Sequence, residues 1–218
     1  MLKADESRPS ITEPNQKLLF CPLAEIIKPE MKTRGSYPKG YPEGAVIHFT
    51  GGASTESSLS YGREQGFCFF MIDKAGRILQ SFPLNRWGFH AGPSSWKGLS
   101  GVSKHFVGIE LDCGGKLQQR ADGEFITWFG RVVPEDKRRM VTTQDNRKGG
   151  YYEKFTQAQE DSLLMLLKWL KRNNPGVFKF ANVVGHDEIS PGRKIDPGGS
   201  LSMTMPELRK ALMIAGDE

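Results

Sequence analysis

The chain has 218 residues, 38% of them apolar and 25% charged, with a formal net charge of +5 and a pI near 9.1. That length fits one globular domain with a sizeable core; no run approaches the roughly 18 uncharged apolar residues that cross a bilayer, and the first ten residues are too polar for a signal peptide's apolar region. Synthesis in the cytosol, no signal peptide and no stable membrane association are therefore expected. The positive charge invites a nucleic-acid partner, yet Lys and Arg are scattered, densest at Lys137-Arg138-Arg139 and Arg147-Lys148, without a nucleic-acid motif or aromatic interleaving. No nucleic-acid partner is expected, and the mild field suits an anionic polymer. Cys21, Cys68 and Cys113 are odd in number and lack a C-x-x-C spacing, so they read as buried thiols and not as a disulfide framework or an all-thiolate zinc site.

In chain order, residues 1–43 are rich in Pro, Lys and Ser without sustained periodicity, which predicts an arm laid over the domain. Residues 45–50, Ala-Val-Ile-His-Phe-Thr before two glycines, predict a strand that ends near His48. A short helix follows over 54–65, then a buried strand over 66–73 turning through Lys74-Ala75-Gly76 into a second arm at 77–82. Residues 106–112 predict the next strand, with Glu110 interrupting its apolar run. From 116 to about 152 the chain turns charged and irregular, with a hairpin around 125–133 and no helix of useful length; it reads as an insertion in a domain spanning 44–215. Thr156 and Gln159 form a capping box for a leucine-rich helix ended by Asn173-Asn174-Pro175-Gly176. A short strand is expected over 180–184 and a final helix from Thr204 to about Ile214.

Between those last two elements lies Gly185-His186-Asp187-Glu188-Ile189-Ser190-Pro191-Gly192-Arg193-Lys194-Ile195-Asp196-Pro197-Gly198. Its prolines and glycines predict a rigid loop that is neither helix nor strand. Imidazole and carboxylate are good ligands for a borderline divalent metal, and an ammonium beside them can stabilise an anion. A zinc hydrolase needs three protein ligands, an open position for water and a base. His48, His186 and Asp196 can supply the ligands, Glu110 the base and Lys194 the electrostatic stabiliser. Taken singly, the same residues have plainer readings: core histidines, a strand carboxylate paired with a lysine, a turn-former before proline and a solvated cation.

Together, Val46-Ile47-His48, Trp87 with His90-Ala91-Gly92, Val107-Gly108-Ile109-Glu110-Leu111, Phe155-Thr156-Gln157-Ala158-Gln159 and the run from Gly185 to Gly198 occur in one order. In this the chain, over about residues 44–212, resembles the zinc-dependent N-acetylmuramoyl-L-alanine amidases of the amidase-2 family, which share their fold with peptidoglycan-recognition proteins. The resemblance implies a single α/β domain with a mixed central β-sheet flanked by helices. It implies zinc on His48, His186 and Asp196, catalysis by Glu110 and Lys194, and hydrolysis of the amide between N-acetylmuramic acid and L-alanine in peptidoglycan or muropeptides. Relatives without a third metal ligand bind peptidoglycan without cutting it, so a non-catalytic binding module is the alternative.

By the same resemblance His90 is a groove-wall residue touching substrate. Trp96, like Trp87, either stacks on sugar or anchors a loop. The chain departs from the family pattern at Cys68, where many relatives carry a metal-side tyrosine, at Ser103, where Asn is common, and at Leu201, where Phe is usual. A monomer is expected, either reaching the wall through a lesion during lysis or recycling soluble muropeptides inside the cell. The long insertion leaves the groove walls, and hence the choice between polymer and soluble substrate, open.

Overall fold

Residues 45–47 and 106–109 are apolar, or glycine, at every position, the pattern of parallel strands covered on both faces, and they form the middle of the sheet. The structure, a computed structural model, describes residues 17–28, 31–65 and 69–214. In chain order it contains β1 (Ala24–Ile26), β2 (Gly35–Ser36), β3 (Gly44–Phe49), α1 (Thr55–Gln65), β4 (Phe70–Ile72) and β5 (Ile78–Gln80). Then come β6 (Arg86–Trp87), β7 (Ser95–Trp96), β8 (Leu99–Ser100) and β9 (Phe106–Leu111). After these follow β10 (Gln118–Gln119), β11 (Phe125–Ile126), β12 (Arg138–Val141), β13 (Gly150–Glu153), α2 (Gln157–Asn173), β14 (Val183–Gly185), α3 (His186–Ile189) and α4 (Met205–Ile214).

The central sheet runs β1-β5-β4-β9-β3-β14, with β4 and β5 antiparallel and every other neighbouring pair parallel. This is the mixed α/β architecture expected. Because strand side chains alternate, Ala45 and Ile47 face one side and Val46 and His48 the other. The first side packs on Leu163, Leu166, Leu167 and Leu170 of α2 and on Leu208 and Leu212 of α4; the second holds a smaller cluster of Val46, Ala91, Val102, Phe106, Val184 and Ile189. The α2 capping box forms as expected, Thr156 accepting from the Gln159 N–H and Gln159 from the Thr156 N–H. The buried Gln159 amide also donates to the Ile72 and Asp112 carbonyls, tying the helix to two strand ends.

Three local expectations are corrected. The run 185–198 is not wholly loop: His186–Ile189 form one helical turn, with the Glu188 carboxylate accepting from the Gly185 N–H at 2.9 Å. Pro191 and Gly192 forbid only its continuation. Residues 180–182 form a 3-10 turn, and the strand expected over 180–184 begins at Val183. The stretch ahead of Gly44, expected to lie over the domain, supplies the edge strand β1 and buries Cys21, Ile27, Met31, Tyr37 and Tyr41.

Cys21 and Cys113 are buried free thiols as expected, while Cys68 lies outside the described residues. Residues 116–152 hold two antiparallel pairs, β10–β11 and β12–β13. They are fastened through the buried Glu153 carboxylate, which accepts from Lys74 at 3.0 Å, Arg131 at 2.7 Å and the Gly114 N–H at 2.6 Å. Among the described residues no helix is long and apolar enough to cross a membrane.

Candidate active site

β3, β9 and β14 run parallel, so their C-terminal ends open at one edge of the sheet, the usual place for a ligand site in such sheets. His48 stands near the end of β3, with Glu110 beside it on β9 as its register partner. His186 follows directly on β14, and the chain beyond α3 returns Lys194 and Asp196 to the same edge. Sequence distances of 62 to 148 residues thus collapse into one cluster because three strand ends and one loop meet there.

His48 Nδ1, His186 Nδ1 and Asp196 Oδ2 form a triangle with sides of 2.9, 2.9 and 3.0 Å, and all three residues are buried. Their outer contacts fix which atoms face inward. A carbonyl oxygen only accepts, so His186 Nε2, 3.0 Å from the Ala91 carbonyl, carries the proton of the neutral ring and leaves Nδ1 with a lone pair. The same logic runs through His90. Its Nε2 lies 2.9 Å from the Phe106 carbonyl and must donate, so its Nδ1 accepts from His48 Nε2 at 3.1 Å, and His48 Nδ1 is free to ligate.

Burial, with His186 beside it, pushes His48 down to about 4, and burial with His48 beside it holds His90 well below the ordinary imidazole value, so both rings are neutral at pH 7. Burial alone would raise the Asp196 carboxyl, while hydrogen bonds and charge from His186 and His48 in their protonated forms, or from a cation in the place of those protons, lower it well below the usual carboxylate range. Two imidazole nitrogens and a carboxylate oxygen aimed at one point fit a divalent metal ion.

A cavity of about 460 Å³ opens over the triangle, with Glu110, Lys194 and Arg193 in its walls. The Glu110 carboxyl makes no hydrogen bond among the described residues, and burial, helped by the Asp196 charge and opposed by Lys194, pushes its pKa up to about 8. A carboxyl raised from an ordinary value of 4.5 favours the fold only while protonated. Its unfolded form ionises first, so metal-free protein loses stability as pH rises from about 4.5 to about 8 and the loss levels off above that. Thermal melts of metal-free protein across that window should fall more steeply for the wild type than for Glu110→Gln; parallel slopes would contradict the assignment.

The structure brings six of the seven expected site residues around this cavity, with His48, Glu110, His186, Lys194 and Asp196 grouped together. His90 borders it as well, but both its ring nitrogens are engaged, one by His48 and one by the Phe106 carbonyl. This contact holds the ring of His48. Room for it comes from Gly108, where a Cβ would sit 2.7 Å from His90 Cγ. His90→Ala should therefore weaken metal binding by about 10- to 100-fold, read by calorimetric titration with zinc; unchanged affinity would refute this role.

Trp96 is not brought to the cavity. It lies half-buried on β7 against the smaller core cluster, with the Arg209 guanidinium 5.7 Å from its ring. Trp87 likewise packs on the main core.

Two residues to which the sequence reading gave no role hold this edge. Ser103 Oγ accepts from the His90 and Ala91 N–H groups at 3.2 and 3.0 Å. Arg193 clamps the loop by donating to the Ala91 and Pro93 carbonyls and to Ser190 Oγ.

Residues 38–199 match the model of the N-acetylmuramoyl-L-alanine amidase family. The chain belongs to that family. It is 29% identical over 128 residues to the 1,6-anhydro-N-acetylmuramyl-L-alanine amidase AmpD of Haemophilus influenzae, covering 59% of this chain and 50% of the relative. To the N-acetylmuramoyl-L-alanine amidase AmiD of Escherichia coli it is 26% identical over 178 residues, 78% of this chain and 54% of the relative. It thus spans about half the length of the curated relatives it matches.

The structure of the E. coli AmiD amidase in complex with anhydro-N-acetylmuramic acid-L-Ala-D-γ-Glu-L-Lys superposes with a TM-score of 0.56 at 26% identity, covering 78% of this chain and 58% of that one. A selenomethionine AmpD structure gives 0.56 at 19% identity, with 91% and 98% covered, a likeness of fold.

Proposed function

We propose that this amidase-family chain is a zinc-dependent N-acetylmuramoyl-L-alanine amidase that hydrolyses the amide between the lactyl group of N-acetylmuramic acid and L-alanine. The observation that carries the reading is the grouping of His48, His186, Asp196, Glu110 and Lys194 around one cavity. Zinc held by the first three would supply Lewis acidity toward the amide carbonyl and the attacking water.

The chain's own groups do the rest. Glu110, with its carboxylate on the cavity wall and no competing hydrogen bond, takes the proton of the attacking water and delivers it to the departing L-alanine nitrogen. A bound cation favours its ionised form, offsetting the burial that raises it in the empty site. Lys194 places an ammonium in the same wall, where negative charge grows on the carbonyl oxygen. His90 and the Ala91 carbonyl keep the two imidazoles aimed inward throughout.

A complete ligand set together with a base and a cation favours an enzyme over a wall-binding module. Given the anhydro-muropeptide bound to the E. coli relative, soluble anhydro-muropeptides are the first substrates to offer this chain. The test is incubation with such a muropeptide and, separately, with intact sacculi, followed by mass spectrometry. Peptides released with a free L-alanine amino terminus are the expected products, and binding to sacculi without release would overturn the reading in favour of the module.

A further inference from the structure

A second cavity, of about 530 Å³, adjoins the metal site and shares Thr50, Tyr61 and Glu110 with it. Its far wall is Trp128 and Phe129, carried by the insertion. Trp128 sits at the tip of a turn closed by hydrogen bonds between Thr127 and both Arg131 and Gly130, with Gly130 at φ +87°. The turn is in turn fastened by the Arg131–Glu153 ion pair. The indole is 69% exposed, yet its Nε1–H donates to the Gly51 carbonyl at 2.6 Å, which locks the ring across the cavity from α1. A large exposed aromatic held this way, beside a second aromatic at 5.6 Å, is arranged to contact a ligand.

The chemistry of the walls selects which part of the substrate enters. Among the described residues no Lys, Arg or His lines this cavity, and its only carboxyl is that of Glu110. The metal-side cavity instead carries Arg193 and Lys194. A stem peptide brings carboxylates, which suit the cationic side. The muramyl sugar, its lactyl carboxyl tied up in the scissile amide, is uncharged and offers apolar C–H faces to aromatic rings and hydroxyls to small polar groups. Ser58 Oγ in the same wall has no hydrogen-bond partner among the described residues.

We propose that the cavity beneath Trp128 and Phe129 is the glycan subsite, so that the insertion, not the conserved-order motifs, supplies sugar recognition. The assignment rests on the amidase reading for the identity of the substrate, but its test does not need turnover. Calorimetric titration of the intact protein with the lactyl N-methylamide of N-acetylmuramic acid, which is uncharged, and, separately, with the peptide L-Ala-D-γ-Glu-L-Lys would be compared across wild type, Trp128→Ala and Trp128→Phe.

Sugar affinity should fall about tenfold in Trp128→Ala and be largely kept in Trp128→Phe, with peptide affinity unchanged. On a muropeptide, KM should rise by a similar factor while kcat stays put. Equal sugar affinity in all three proteins, or a loss confined to the peptide, would overturn the subsite. Failure of the wild type to cleave any muropeptide would instead sink the amidase reading, while the binding comparison would still decide the subsite.

Discussion

Asp196→Ala should lose at least about 100-fold in zinc affinity and all detectable amidase activity while keeping its fold. The side chain contributes one corner of a triangle whose other corners are two imidazole nitrogens, at 2.9 and 3.0 Å. Removing an outer partner of a ligand already costs about 10- to 100-fold in metal affinity or activity; removing the sole anionic ligand costs more, because it takes away both a bond and the charge that offsets the ion's own. The fold should survive, because Asp196 lies in a loop anchored independently by the Arg193 clamp and by the Asp187 N–H donating to the Asp196 backbone carbonyl at 2.8 Å. Calorimetric zinc titration with circular dichroism as the folding control checks this. Retained zinc affinity in a folded variant would show that the triangle is a hydrogen-bonded cluster and not a metal site.

Glu110→Gln should leave zinc affinity within a few-fold of wild type and reduce kcat by about 100- to 10,000-fold. The substitution keeps shape and removes only the capacity to take and return a proton. Glu110 is well suited to that work: burial raises it to about 8 with the site empty, and a cation beside it draws it back toward neutrality, the range in which a general base works best at pH 7. Neither Cys21 nor Cys113 lines the metal-side cavity, and no tyrosine phenol other than Tyr61 does. Steady-state kinetics on a soluble muropeptide, with metal content measured on the same sample, separate the two effects. Turnover that survives the change would place the base elsewhere.

The metal-side cluster was legible through the amidase-2 resemblance, because His48, Glu110, Lys194 and Asp196 taken singly each have a plainer reading. Only the sheet register and the returning loop bring them together. What was not legible depends on contacts far apart in the chain. β1 is three residues long and is recognisable only through its pairing with β5, more than 50 residues away. The α3 turn was masked by Pro191 and Gly192, although four residues and the Glu188 carboxylate suffice to make it.

His90 lines the cavity as the resemblance implied, but that both its nitrogens are engaged, by His48 and by the Phe106 carbonyl, was not readable from the sequence. Trp96 had the right residue type and the wrong surroundings, while Trp128, in a stretch without periodicity, reaches the groove only because Arg131 and Glu153 hold its turn there.

The most direct test of the zinc amidase account is removal and return of the metal. Protein dialysed against a chelator should cease to release L-alanine-terminated peptide from a soluble anhydro-muropeptide and should recover when one equivalent of zinc is added, and the Asp196→Ala protein should not recover. Undiminished release by metal-free protein would contradict the account.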